Sequence, residues 1–142
     1  MMEDKYFKIT FEQKEDILRR IENFLEKNPD VLFAYIHGSF VVQEQYHDID
    51  VAIYLKLIPE ELLKMELDLE TQLYKLIQYP VDVRILNNAP LSFRYNVIKN
   101  GRRLAIINDD ARCDFEEMTV SNYFDFAPYR KMYLKETLSS GV

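Results

Sequence analysis

Two short segments of this chain constrain its fold more than any others. Ile49-Asp50-Val51-Ala52-Ile53-Tyr54-Leu55 and Val81-Asp82-Val83-Arg84-Ile85-Leu86 both alternate with period two. Residues two apart on a strand share a face. Ile49, Val51, Ile53 and Leu55 therefore face a core, and Asp48, Asp50, Ala52 and Tyr54 line the other side. The second segment repeats the design, with Val81, Val83 and Ile85 inward and Asp82 and Arg84 outward.

Carboxylates at the mouth of an apolar strand need a reason. Asp48 and Asp50 point the same way, and two carboxylates so close repel unless something positive lies between them. A divalent cation resolves the conflict, and oxygen-only ligation suits Mg²⁺ or Mn²⁺ rather than zinc. Two such ions need a third carboxylate. Asp82 supplies it if the two strands are neighbours. Upstream, Gly38-Ser39 follows the apolar run 31–36. A glycine at a strand end, opening a helix, lets backbone N–H groups approach a phosphate, and the serine hydroxyl can add a bond. Taken singly, an Asp-x-Asp pair is usually a solvated turn, and Asp82 with Arg84 a surface ion pair of small worth. Their order and context favour a two-metal phosphoryl or nucleotidyl transfer site.

The rest of the chain supplies a scaffold. Residues 11–28 carry Phe11, Ile17, Leu18, Ile21, Phe24 and Leu25 at helical spacing, with Thr10 as N-cap and Asn28-Pro29-Asp30 as the stop. Residues 31–36 read as a central strand. A short helix runs from Ser39 to about Gln45. Pro59 stands at the first position of a long helix ending near Gln78. A further helix runs from Pro90 or Leu91 to Lys99, with Asn100-Gly101 as its C-cap, and residues 103–107 form a fourth strand. From Asp110 onward the pattern is helical, with Pro128 kinking that helix or starting another. This order predicts an α/β (α+β) fold, a small mixed sheet with helices packed against it. It predicts one domain over 1–142, fraying from about residue 136.

Composition narrows the partners. The net charge is −6, which argues against a broad nucleic-acid-binding face but not against a phosphate held through metal. No stretch reaches the roughly 18 uninterrupted apolar residues of a membrane span. The start of the chain lacks a signal peptide's apolar region. With one cysteine, Cys113, the expectation is a cytoplasmic protein whose thiol is small and buried.

The residues GSF…DIDVAIYL (38–55), PVDVRIL (80–86), APLSFRYNVIKNGRRLAI (89–106) and DFEEMTVSNYFDFAPYRKMY (114–133) resemble a known group. The chain looks like the nucleotidyltransferase superfamily that shares its fold with DNA polymerase β. Within it, the chain resembles the minimal nucleotidyltransferases, the MNT antitoxins paired with HEPN toxins. The resemblance implies that Asp48, Asp50 and Asp82 are catalytic and bind two Mg²⁺ ions, with Mn²⁺ as the alternative. It implies that Asp82 helps activate the attacking hydroxyl, and that Gly38 and Ser39 hold the triphosphate of ATP. It also implies a protein adenylyltransferase, moving AMP to a tyrosine of a HEPN toxin partner and silencing that toxin. The family usually places about ten residues between Gly-Ser and the first aspartate; here there are eight, FVVQEQYH. Two rivals follow: an antitoxin that acts by contact alone, and a nucleotidyltransferase for a small molecule.

Other residues carry less. Arg84 either neutralises Asp82 or binds nucleotide. His37 orients or packs the glycine turn, and His47 is a structural residue beside Asp48. Lys99, Arg102 and Arg103 read first as a solvated basic turn and second as a contact for triphosphate or a partner. Tyr123, Phe124, Phe126, Tyr129 and Tyr133 serve mostly the core, with part left for a partner. A homo-oligomer is left open.

Overall fold

A computed structural model describes the backbone at residues 7–8, 10–42, 45–46 and 48–139, and side chains at 10–38, 40–41 and 48–125. The elements run β1 (Phe7–Lys8), α1 (Phe11–Glu26), β2 (Val31–His37), α2 (Ser39–Val42), β3 (Gln45–Tyr46), β4 (Ile49–Leu55), α3 (Leu62–Ile77), β5 (Val81–Ile85), α4 (Leu91–Asn100), β6 (Arg102–Ile106) and α5 (Asp109–Ser139).

The main sheet has the order β5-β4-β2-β6. β2 pairs antiparallel with β4 and β6, and β4 pairs parallel with β5, so the sheet is mixed as the sequence predicts. β4 and β5 are direct neighbours, the condition under which the three aspartates meet. A second, two-stranded sheet joins β1 to β3.

Helices cover both faces. Ile17, Leu18, Ile21 and Leu25 of α1 and Leu69, Leu73 and Ile77 of α3 pack on the side of Val51, Ile53, Val83 and Ile85. Val97 of α4 and Phe115 of α5 pack on the other side, against Phe33, Tyr35 and Ala52. The face carrying Asp50 is therefore solvated only at one end. Ala52, read from alternation as an outer residue, is buried. Alternation separates two faces but cannot say whether the second is covered.

Local signals set the helix ends. Thr10 caps α1 in a reciprocal box: its Oγ1 accepts from Gln13 N–H at 3.1 Å, and Gln13 Oε1 accepts from Thr10 N–H at 2.9 Å. Such a box satisfies two orphan donors. Phe11, expected on the buried stripe, is 77% exposed, because it lies a turn before the face that meets the sheet. α3 begins at Leu62, not at Pro59, and ends at Gln78 with φ 63° before Pro80. α2 is described over Ser39–Val42, and Gln45 lies in β3, not in the helix. Gly101 does cap α4, but with extended backbone (φ −86°). Its glycine is needed for close approach: a Cβ there would lie 3.1 Å from Ile36 O and nearer still to Val97 O. α5 runs unbroken through residue 128. Among the described residues no helix is long and apolar enough to cross a membrane.

Candidate active site

Three chain segments bring the carboxylates together. Asp48 sits in the bend before β4, Asp50 is the second residue of β4, and Asp82 is the second residue of β5. In the parallel pairing Asp50 stands directly beside Asp82. Period two points both away from the α1/α3 core. One ligand oxygen from each of Asp48, Asp50 and Asp82 lies within 4.8 Å of the others. All three side chains are half-buried.

The glycine turn closes the site on its β2 side. Gly38 follows the last residue of β2 and has φ +78°, a left-handed backbone that only glycine adopts at no steric cost. Its bare Cα faces the Asp50 carboxylate. A Cβ there would lie 3.3 Å from Asp50 Cγ and closer to Oδ2. Ser39 opens α2, and Val41 N–H donates to Gly38 O at 3.1 Å.

Electrostatics match the crowding. The Asp50 carboxyl is pushed up to about 7, chiefly by burial and then by Asp48 and Asp82, with Arg84 opposing. Arg84 Nε lies 3.7 Å from Asp82 Oδ2, on a half-exposed edge. Among the described residues one close cation, Arg84, stands against three carboxylates, which leaves the cluster short of positive charge. Hard, oxygen-only ligands around such a deficit fit Mg²⁺ or Mn²⁺.

His37 stands opposite Asp50 in the β2–β4 pairing. Its ring meets Phe93 edge-on at 5.6 Å, and its buried Nε2 has no hydrogen-bond partner among the described residues. Burial lowers its pKa, so the ring is neutral near pH 7. That placement fits a residue that packs and orients the turn.

Two residues of this region were not singled out from sequence. Glu70 Oε2 accepts the Val83 N–H at 2.8 Å, and Glu66 Oε2 accepts the Ile85 N–H at 2.9 Å. Both donors lie on the open edge of β5, flanking Asp82 and Arg84. Glu70 also contacts Asp82, and burial is the first cause of its raised pKa. The only signal in the sequence was a pair of glutamates at i, i+4 on the helix preceding the strand.

A family model described as polymerase beta, nucleotidyltransferase matches residues 19–110. The chain belongs to this nucleotidyltransferase family. Its fold is that of solved MNT antitoxin–HEPN toxin complexes. A chain in the complex of tri-AMPylated Shewanella oneidensis HEPN toxin with MNT antitoxin aligns with TM-score 0.70 and 20% identity, over 89% of this chain and 99% of that one. A chain of a MntA–HepT complex aligns at TM-score 0.64 and 17% identity, over 92% and 100%. A toxin–antitoxin structure with AMP-PNP gives TM-score 0.64 and 21% identity, over 92% and 100%. No curated relative matches. The matched segment of the nucleotidyltransferase includes Gly38, Ser39, Asp48, Asp50, Asp82 and Arg84.

Remaining sequence candidates lie elsewhere. Arg102 is ion-paired to Glu15 at 3.1 Å and Arg103 to Glu116 at 2.8 Å, so neither is a simple solvated charge. Cys113 is exposed, not buried, because it lies on the α5 flank away from Phe115. Tyr123 stacks on Tyr95 at 3.8 Å, and Phe124 is 55% exposed. His47 and the side chains of Ser39, Phe126, Tyr129 and Tyr133 lie outside the described residues.

Proposed function

We propose that this nucleotidyltransferase moves AMP from ATP to a tyrosine hydroxyl of a HEPN toxin partner and acts as its antitoxin. The observation that carries the reading is the acidic triad, Asp50 and Asp82 in register on β4 and β5 with Asp48 in the bend before β4, beside a left-handed glycine turn. The likeness to MNT chains in complexes with HEPN toxins, one of them tri-AMPylated, supports the choice of acceptor.

Gly38, with Ser39 at the start of α2, receives the β- and γ-phosphates. The acceptor oxygen attacks the α-phosphorus and forms the new P–O bond. The bond from the α-phosphorus to the bridging oxygen of the β-phosphate breaks, and pyrophosphate leaves with that electron pair. Asp82 takes the proton of the acceptor hydroxyl. Bound at Asp48, Asp50 and Asp82, Mg²⁺ supplies charge neutralisation for the phosphate oxygens. Arg84, at the same edge, neutralises Asp82. Placing the α-phosphate and acceptor in line accounts for most of what such an enzyme must do.

The test is transfer of labelled AMP to the HEPN partner by wild type and by Asp48→Asn, Asp50→Asn and Asp82→Asn. Loss of label by more than about 100-fold with the complex retained supports the reading. A wild type that forms the complex and transfers nothing supports neutralisation by contact alone, on a scaffold whose spacer from Gly-Ser to Asp48 is eight residues.

A further inference from the structure

Beside the acidic triad lies a cavity of about 330 Å³. Leu62, Ile85, Ala89, Pro90 and Phe93 give it apolar walls, and Glu66, Arg84 and Asn88 line it with polar groups. It adjoins the site at two points. Arg84 reaches back to Asp82, and Phe93 meets the ring of His37, the cross-strand neighbour of Asp50. Most of its lining comes from β5, the edge strand, and from the segments on either side of it in the chain.

That side has a chemical meaning. In an in-line displacement at phosphorus the attacking and leaving oxygens stand on opposite sides of the transferred group. Across the sheet, His37 on β2, Asp50 on β4 and Asp82 on β5 stand in register, and Gly38 follows His37. With pyrophosphate leaving toward Gly38, the acceptor must arrive from the β5 edge. The nucleoside hangs from an equatorial oxygen of the α-phosphate and does not lie on the line of displacement.

We infer that this cavity is the acceptor subsite, and that it takes the aromatic ring of the phenol whose hydroxyl is presented to Asp82. This rests on the proposed AMP transfer and adds where and by what the acceptor is recognised. The lining suits an apolar ring that carries a hydroxyl. Phe93, Pro90, Leu62 and Ile85 supply the apolar contact, Arg84 a hydrogen-bond donor for the phenol oxygen, and Glu66 is already engaged by the Ile85 N–H. Aromatic rings prefer such offset or edge-on partners.

The test uses N-acetyltyrosinamide as probe on protein loaded with Mg²⁺ and AMP-PNP, read by methyl NMR. Shifts confined to Leu62, Ile85 and Ala89, absent with N-acetylserinamide, support the subsite. Ala89→Leu, which fills the cavity, should weaken the probe and raise the acceptor KM by about tenfold. Nucleotide affinity should stay unchanged. Ala89→Val provides a milder filling in the same direction. If AMP-PNP alone shifts these methyls and Ala89→Leu weakens nucleotide instead, the cavity holds the base and the inference falls. It falls too if the probe leaves the methyls unmoved, or if Ala89→Leu transfers AMP as well as wild type. A wild type that binds the probe here but transfers no AMP would keep the subsite and overturn the transfer reading.

Discussion

The Asp50 carboxylate occupies the space that any side chain at Gly38 would need. Gly38 has φ +78°, and an added Cβ would lie 3.3 Å from Asp50 Cγ and nearer to Oδ2. The left-handed turn and the position of the Asp50 carboxylate are thus set by one contact. Gly38→Ala should combine left-handed strain of about 1–2 kcal/mol with displacement of Asp50. The expected result is a fall in thermal midpoint of about 4–8 °C. AMP transfer should fall by more than about tenfold, beyond what the lost stability explains. Thermal unfolding alongside a transfer assay at a temperature where the variant is folded checks both parts.

The crowding at Asp50 gives stability a pH dependence. Its carboxyl rises from 3.8 in a free chain to about 7 in the fold, first through burial and then through Asp48 and Asp82. Between those values the folded state binds the extra proton, so its contribution to stability falls as pH rises. Above about 7 the full penalty of an ionised Asp50 is present. Asp50→Asn should therefore be more stable than metal-free wild type at pH 8, with the difference shrinking toward pH 4. Mg²⁺ at pH 8 should raise the stability of wild type and not of the variant. Urea unfolding at several pH values, with and without Mg²⁺, measures this.

Much of the site could be read from the chain because a strand's period of two is an exact geometric statement. Asp50 and Asp82 each sit between core residues, so each had to face away from the same core. The structure adds that β4 and β5 are parallel neighbours in register, which no local pattern states. Where a pattern depends on what lies across from it, the sequence was silent. Ala52 looked like an outer residue until α4 and α5 covered that face. Cys113 looked buried on residue type alone, yet its helical face turns out to be the exposed one. β1 and β3 are two residues each, too short to carry a period. Pro59 has the chemistry of a helix start, but α3 begins three residues later, since proline is equally at home in the loop before a helix.

The open edge of β5 is held by side chains instead of a strand. Glu70 and Glu66 accept from Val83 and Ile85 N–H at 2.8 and 2.9 Å. An unprotected edge invites pairing with another chain. Replacing both by alanine should cost about 1–3 kcal/mol and promote concentration-dependent association. Replacing both by glutamine keeps an acceptor at each position and should cost less. Chemical unfolding ranks the variants, and light scattering reads the association. AMP transfer should also drop in the alanine variant, since the strand it loosens carries Asp82.

On the far face, one carboxylate ties α5 to the sheet. Tyr35, almost fully buried, donates its hydroxyl to Glu116 Oε2 at 2.6 Å. Arg103 of β6 forks onto both Glu116 oxygens at 2.8 and 3.1 Å, and Arg112 donates to Oε1 at 3.1 Å. The two arginines and the phenol hold the Glu116 carboxyl below its usual range, against the opposing effect of burial. The two ends of this network should respond unequally. Tyr35→Phe removes one donor and leaves Glu116 with two cations, a loss of about 1 kcal/mol. Glu116→Ala leaves the buried Tyr35 hydroxyl without its acceptor and removes the carboxylate shared by Arg103 and Arg112, although Arg112 keeps Asp109 at 2.7 Å. It should cost about 1–3 kcal/mol. The depressed carboxyl also fixes the pH sense: its stabilisation is present above the ordinary carboxylate range and is lost as pH falls below it. Urea unfolding at pH 7 and pH 3.5 should show the gap between wild type and Glu116→Ala narrowing in acid. A gap that stays constant would mean that shape, and not charge, makes the contact between α5 and β2.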